Sequence, residues 1–337
     1  MNLLLSDVRP ARPDVAAVAG EHPFAQYVRT LGRGPGRSRA LTREEARAAL
    51  GHVLRGEADA HQVGAFLMLL RYRGEDPAEM AGLVEAARDM FGAGLPAGCR
   101  RVVLDWPSYG AGRTRGVPWF LLAALALAGA GHTVLMHGSN EFTRGTPVTE
   151  ALEALGLPVC ADREMAVAEL GARGFAYLPL TAFCPALDGL LRLRGLLGLR
   201  SPINTAARLL NPFDAAAGVD GVFHPPYITL HLGTAALLDR GRLVVVKGGG
   251  GEAERNPVKA MTAHWFARGA GQGEVLFSAT EAAEGPGALM DAWQSGEGAG
   301  AATARATVAL GLLALGVAGD AAEADAGAAA VWAARHG

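Results

Sequence analysis

Between residues 189 and 212 the chain carries Arg192, Arg194, Arg200 and Arg208 and no acid. A guanidinium is planar, permanently charged and forked, so it grips phosphate or carboxylate with two parallel hydrogen bonds. Arg113, Arg115 and Arg144 add charge on two glycine-bearing or polar loops, 106–116 and 138–149. Together these seven side chains can line a groove that holds polyanions by their phosphates; the alternative is a set of separate, solvated arginines. Gly110 and Gly112 let backbone amides approach an anion, and His137–Gly138 and Lys247–Gly248 end two further apolar runs. His137 reads equally as a substrate contact or as a packed strand-end histidine. The tetraglycine 248–251 reads as an anion nest or as a flexible hairpin. Glu252 and Glu254 follow it, and a hard divalent cation asks for such carboxylates. Trp106, Tyr109 and Trp119 are aromatic groups on which bases can stack, although Trp119 also suits a core.

Secondary-structure signals place these residues. Residues 1–22 read as a loose arm and 22–31 as a first helix, ended by a Gly/Pro/Arg-rich turn. Thr42 with Glu45 three residues on is a capping box, and 59–72 and 76–91 repeat helical apolar spacing, with Pro77 in a favoured first-turn position. The pattern then changes. Residues 101–106 form a β-branched run, a Gly-rich loop follows, 117–130 is an apolar helix, and 132–137 is a second strand. That is a βαβ unit of a parallel sheet. Further strands are predicted at 175–179, 221–223 and 242–247, with helices at 185–197 and 301–336. The fold class is therefore α plus α/β. A small N-terminal helical domain (1–98), joined by helices within 180–198, accompanies an α/β domain (99–337) with a central, mostly parallel sheet. In such sheets ligands bind at the carboxyl ends of strands, where loops 106–116, 138–149 and 248–256 emerge.

Bulk properties narrow the class. Half the residues are hydrophobic and 19% are charged, which supports a folded core and excludes a disordered chain. The net charge of −2 excludes a polycation, but charge is segregated. Glu274, Glu281, Glu284, Asp291, Glu297, Asp320, Glu323 and Asp325 face the single base Arg305 in their stretch. Such segregation permits one positive face. Cys99, Cys160 and Cys184 form no CxxC pair, so they read as buried small hydrophobes of a reducing cytosol. The longest apolar run, 117–131, is shorter than the roughly 20 residues a bilayer requires. No signal peptide is visible near Asp7, Arg9 and Arg12. The expectation is a cytoplasmic protein with no membrane partner.

The words "HG" at 137–138, "LEALG" at 152–156, "LGLR" at 197–200 and "NP" at 211–212, in that order, resemble the nucleoside phosphorylase/anthranilate phosphoribosyltransferase family over residues 20–330. The resemblance implies where its machinery would lie. The family's Gly-Thr-Gly-Gly-Asp loop, which wraps the pyrophosphate of phosphoribosyl pyrophosphate, corresponds to Ser108, Tyr109, Gly110, Ala111 and Gly112. Its Lys-His-Gly-Asn motif and following serine pair correspond to Met136, His137, Gly138, Ser139, Thr143 and Arg144. Its magnesium-binding Asp-Glu pair corresponds to Ala253 and Glu254. Arg200 matches the arginine that meets an aromatic acid's carboxylate. The stretches 105–109, 118–128 and 197–213 are similar to a divergent, YbiB-type branch. That likeness implies a homodimer through the helical domain that binds nucleic acid, DNA or RNA, without clear sequence preference. The expectation is thus a transferase fold with eroded phosphoribosyl pyrophosphate and magnesium motifs that binds nucleic acid by backbone contacts and needs no cofactor. The alternative is a working transferase with an unknown acceptor, in which Glu254 would help hold magnesium. A third reading is a metabolite-binding regulator that uses the cleft without chemistry.

Overall fold

Thr42 accepts a hydrogen bond from the Glu45 amide, and the Glu45 side chain accepts one from the Thr42 amide, so the capping box opens helix α2, Arg43–Leu54. The same device, with Asp76 and Glu79 and with Pro77 in the first turn, opens α4, Pro77–Phe91. Gly92 then ends α4 in the left-handed conformation, which costs a residue without Cβ little. With α1 (Ala25–Gly32) and α3 (Ala60–Arg73) these helices form an N-terminal bundle. The computed structural model describes residues 20–34, 36–110, 116–284 and 288–336. The expected N-terminal arm lies almost wholly outside them.

Seven strands follow: β1 Leu104–Ser108, β2 Val134–Gly138, β3 Phe175–Pro179, β4 Ala217–Val222, β5 Arg242–Lys247, β6 Met261–Ala267 and β7 Gly271–Phe277. They form one sheet of order β3-β2-β1-β4-β5-β6-β7. The first five run parallel, and β6 and β7 pair antiparallel on the far edge. From β1 the chain proceeds outward to β2 and β3, then returns to lay β4 on the other side of β1. That reversal makes the β1/β4 junction a topological switch point, where a crevice opens outside the carboxyl ends of the strands.

Helix α5 (Trp119–Gly129) links β1 to β2, and α6 (Val148–Ala154) and α7 (Arg163–Arg173) link β2 to β3. Short helices α8 (Leu180–Phe183), α9 (Pro185–Arg192), α10 (Arg194–Leu197) and α11 (Ile203–Ala206) lead to β4, and α12 (Pro226–Leu237) joins β4 to β5. Helices α13 (Leu289–Ser295), α14 (Gly298–Leu315) and α15 (Ala321–Ala333) complete the chain. Two cores flank the sheet. One joins Leu50, Phe66 and Leu83 of the bundle to Leu187 and Ile203 and to Leu135, Leu243 and Val245 on one sheet face. The other packs α5, α14 and α15 on the opposite face. Helix α14 is long and apolar enough to cross a membrane, but two-thirds of it (67%) is buried inside the fold. Its apolarity is that of a core helix, with Gly300 leaving room for the Trp119 ring and Gly311 for Leu127.

Several boundaries differ from expectation for local reasons. Residues 185–197 are two helices, not one, divided at Leu193. Strand β4 begins four residues earlier than 221, and its Gly and Asp content, which hides it from β-propensity, has a packing cause described below. The hairpin β6–β7 was not anticipated.

Candidate functional site

Beside the switch point lies a cavity of about 270 Å³. Its lining comes from both halves of the molecule. Helix α3 gives Arg71, the α10–α11 segment gives Arg194, Leu199, Arg200, Ser201, Asn204 and Thr205, and the turn after α11 gives Arg208. The end of β4 and its loop give Gly221, Phe223 and His224; α12 gives Tyr227 and His231; Gly251 closes one side. Among the described residues four guanidinium groups and two imidazoles line this space, and no Asp or Glu does.

Arg208 is buried and makes three hydrogen bonds to carbonyl oxygens. Its Nη1 donates to Asn204 (3.0 Å), and its Nη2 donates to Tyr109 (2.8 Å) and Gly251 (3.3 Å). It ties the loops after β1 and β5 to its own segment without any of these bonds cancelling its charge. Arg71 Nη1 donates to the Tyr227 hydroxyl at 2.6 Å. Arg194 lies over the Phe142 ring, 4.7 Å from its centroid, and Arg200 lies 5.9 Å from that of Phe223. Burial, and then the like charges of Arg194, Arg208 and Arg71, lower the Arg200 pKa below its ordinary value. Such mutual destabilisation of cations is relieved when an anion enters.

Beneath the cationic groups, His231 Nδ1 and Asp220 Oδ2 lie 2.8 Å apart, both residues fully buried. Asp220 fixes the ring and leaves Nε2 as its remaining polar atom. On the same strand Gly221 is required and Gly218 leaves room for a neighbouring side chain. A side chain at Gly218 would strike the Arg240 guanidinium, and one at Gly221 would strike the backbone of Glu252. This explains the weak strand signal of β4.

The match of residues 25–90 to the helical bundle domain of a glycosyl transferase family, and of residues 120–334 to its a/b domain, decides the relationship. The chain belongs to glycosyl transferase family 3. The uncharacterized protein YbiB of Escherichia coli K12 is 31% identical over 239 residues, which cover 69% of this chain and 73% of that protein. An anthranilate phosphoribosyltransferase of Nitratidesulfovibrio vulgaris is 34% identical over 224 residues, 65% of this chain and 64% of its own length. In structure the chain shares the fold of the anthranilate phosphoribosyltransferase of Thermus thermophilus, with a TM-score of 0.74 at 24% identity over 94% of this chain and 95% of that one. The Saccharomyces cerevisiae enzyme in complex with PRPP and Mg gives 0.73 at 17% identity over 93% of each chain.

Family motifs can then be followed one by one. At the first loop, Gly110 has the Glu252 carboxylate and the Thr143 hydroxyl close against it, and a Cβ would displace these side-chain ends. Gly112, Arg113 and Arg115 lie outside the described residues. At the second motif, His137 is fully buried. Its Nδ1 is 2.9 Å from the Tyr109 hydroxyl and its Nε2 is 3.3 Å from Asp105 Oδ1, while Arg240 donates to Asp105 Oδ2 at 3.0 Å. The side chain therefore sits in a polar chain beneath the cleft instead of lining it. Gly138 abuts the Ser108 carbonyl, and Gly248 abuts the Glu252 carbonyl; both glycines serve the close approach of backbone to backbone. Lys247 is exposed at the end of β5. Ala253 is buried in the core, and the Glu254 carboxylate accepts a hydrogen bond from the Phe120 amide at 3.1 Å, in the first turn of α5. Among the described residues no three His, Cys, Asp or Glu side chains group as a metal site.

The seven arginines divide. Arg194, Arg200 and Arg208 share the cavity. Arg192 turns to a different depression and is ion-paired to Glu141 (2.6 Å) and Asp188 (2.7 Å). Arg144 is exposed on the loop before α6. Trp106 and Tyr109 are buried, so neither is available to stack on a base, and Trp119 packs on Gly300. The exposed aromatic of the cavity is Phe223, which sequence reasoning missed. Arg71, Tyr227 and the Asp220–His231 pair were missed as well. In the last turn of α3, Arg71 reads as an ordinary helix-dipole partner, and no signal in the sequence joins it to residues more than a hundred positions away.

Proposed function

We propose that this family member lacks anthranilate phosphoribosyltransferase activity and binds nucleic acid through phosphate contacts without strong sequence preference. The observation that carries this reading is the cavity where Arg71, Arg194, Arg200 and Arg208 converge with no carboxylate in the lining. Charge of one sign in a low-dielectric recess attracts polyanions. The loss of catalysis is supported by the donors that remain. Tyr109 and Ser108 stand where the family has Thr and Gly. Ala253, which has no oxygen ligand, stands where the family has Asp, and the carboxylate of Glu254 is engaged at the N-terminus of α5. This set does not fit a divalent cation bridging to pyrophosphate. A homodimer through the helical domain completes the proposal, and two linked sites would raise avidity; a monomer at micromolar concentration in light scattering removes that part.

The test is binding of a single-stranded oligonucleotide across a range of salt concentrations. Affinity falls steeply with salt, and Arg194→Ala with Arg200→Ala makes that dependence shallower, by roughly 0.7 in slope for each phosphate no longer neutralised. Arg192→Ala leaves the slope unchanged because its charge is already met by two acids. Strong sequence selectivity that persists at high salt overturns the reading.

A transferase with a different acceptor is the second reading. It is favoured by the retained crevice at the switch point and by Arg200, which matches the family's carboxylate-binding arginine. Release of pyrophosphate from phosphoribosyl pyrophosphate and magnesium, with any of a panel of aromatic or amide acceptors, would establish it.

A further inference from the structure

The lining of the arginine cavity is graded. Phe223 (45% exposed) and Leu199 (56%) stand at its rim, whereas Arg208 (8%) and His231 (1%) lie in its depth. A groove that follows a continuous strand has the opposite character, with cations along an open surface and bases turned to aromatic platforms beside it. Here the cations are the less exposed part of the lining, Arg208 buried and Arg71, Arg194 and Arg200 half-buried, and the apolar and aromatic rim stands further out. At about 270 Å³ the space also falls just under the roughly 300–1,000 Å³ of pockets that enclose a whole small ligand.

We propose that the cavity is an end-binding site, which takes the phosphomonoester at the terminus of a nucleic-acid strand while the terminal nucleoside rests on Phe223 and Leu199. This rests on the nucleic-acid reading above and narrows it. A phosphodiester offers one negative charge and must leave the pocket on both sides. A terminal monoester approaches two charges near neutrality and has three free oxygens, so it can present several acceptors to forked guanidinium donors at once. Arg200 supplies such a fork, Arg208 adds its charge while its guanidinium donates to three carbonyls, and Ser201, Asn204 and Thr205 line the same wall. Asp220 holds His231 by Nδ1, which leaves Nε2 as the ring atom that can hydrogen-bond a phosphate oxygen. At the rim, the Phe223 ring meets His224 edge-on at 4.7 Å, forming a small aromatic corner on which a terminal base can stack.

The experiment compares internally labelled single strands of one sequence by fluorescence anisotropy with the full-length protein. The strands bear a 5′-phosphate, a 3′-phosphate, hydroxyls at both ends, or no ends at all (a closed circle), and a free nucleoside monophosphate is added as competitor. One phosphorylated form is expected to bind about tenfold more tightly than the hydroxyl-ended strand, the circle as weakly as the latter, and the mononucleotide to compete. Arg200→Gln and, independently, the exposed Phe223→Ala should reduce the advantage of the phosphorylated strand while thermal melting stays cooperative. Equal affinity for phosphorylated, dephosphorylated and circular strands overturns end recognition and leaves nucleic-acid binding intact. If the mononucleotide binds but no strand does, or if nothing binds, both readings fall.

Discussion

The Nη2 of Arg208 donates to the carbonyl of Tyr109 at 2.8 Å, across 99 residues of sequence. This bond makes the deepest cation of the cavity also the clamp that joins the loop after β1 to the segment after α11. Arg208→Ala is expected to lower unfolding free energy by about 2–4 kcal/mol, since it strands buried carbonyl oxygens and opens a void. Denaturant unfolding measures this. A loss under about 0.5 kcal/mol would show that the clamp contributes nothing.

Glu254 is expected to act as a helix partner. Removing its carboxylate from the Phe120 amide by Glu254→Ala should destabilise the protein by about 1 kcal/mol, the usual weight of a capping acceptor. Magnesium should leave the melting temperatures of the parent and of the variant unchanged. A magnesium-dependent rise in the parent that the variant lacks would return Glu254 to a metal-binding role.

Asp105 gives a pH dependence. Burial opposes its charge, but His137 and Arg240 outweigh that penalty and hold its pKa below the ordinary value. A carboxylate whose folded pKa is depressed stabilises the protein at all pH values above its unfolded pKa, about 3.9, and that stability is lost as pH falls through the folded value. Asp105→Asn should cost about 3–5 kcal/mol near neutrality, because it leaves Arg240 buried without its carboxylate, and should flatten the acid limb of the stability curve. An unchanged acid limb would contradict this account.

The cysteines should react in order of exposure. Burial, followed by the charge of Glu169, pushes the Cys160 thiol up to about 11, and burial likewise raises Cys184. Cys99 is only partly buried. Near pH 8 an alkylating reagent should modify Cys99 first, with the other two reacting only as the protein unfolds. Mass spectrometry of partially labelled protein decides the order.

Most of the fold was readable because its signals are local. The Thr42 capping box, Pro77, the aromatic and apolar run at 175–179 and the valine run at 242–247 each specify an element from within a few residues. Strand β4 was poorly marked, because its glycines answer to Arg240 and Glu252, which approach from elsewhere in the sequence. The site was legible in part for the same reason. Arg194, Arg200 and Arg208 sit within one short stretch and reach one cavity, whereas their neighbour Arg192 is taken up by Asp188 one helical turn back and by Glu141 from another loop. Arg71 and His231 could be found only by folding the chain, since what recruits them is the packing of α3 and α12 against the end of β4.

The seam between the bundle and the sheet has a mechanical corollary. Arg71 rides on the bundle, while Arg208 is fastened to loops of the sheet, so the guanidinium groups repel one another across the place where two bodies meet. That repulsion is borne by the core shared between bundle and sheet, and any multivalent anion that settles there works as mortar. Phosphate or sulfate in the buffer would knit the halves together by mass action, to a degree that chloride, with one charge and no fork of oxygens, cannot match.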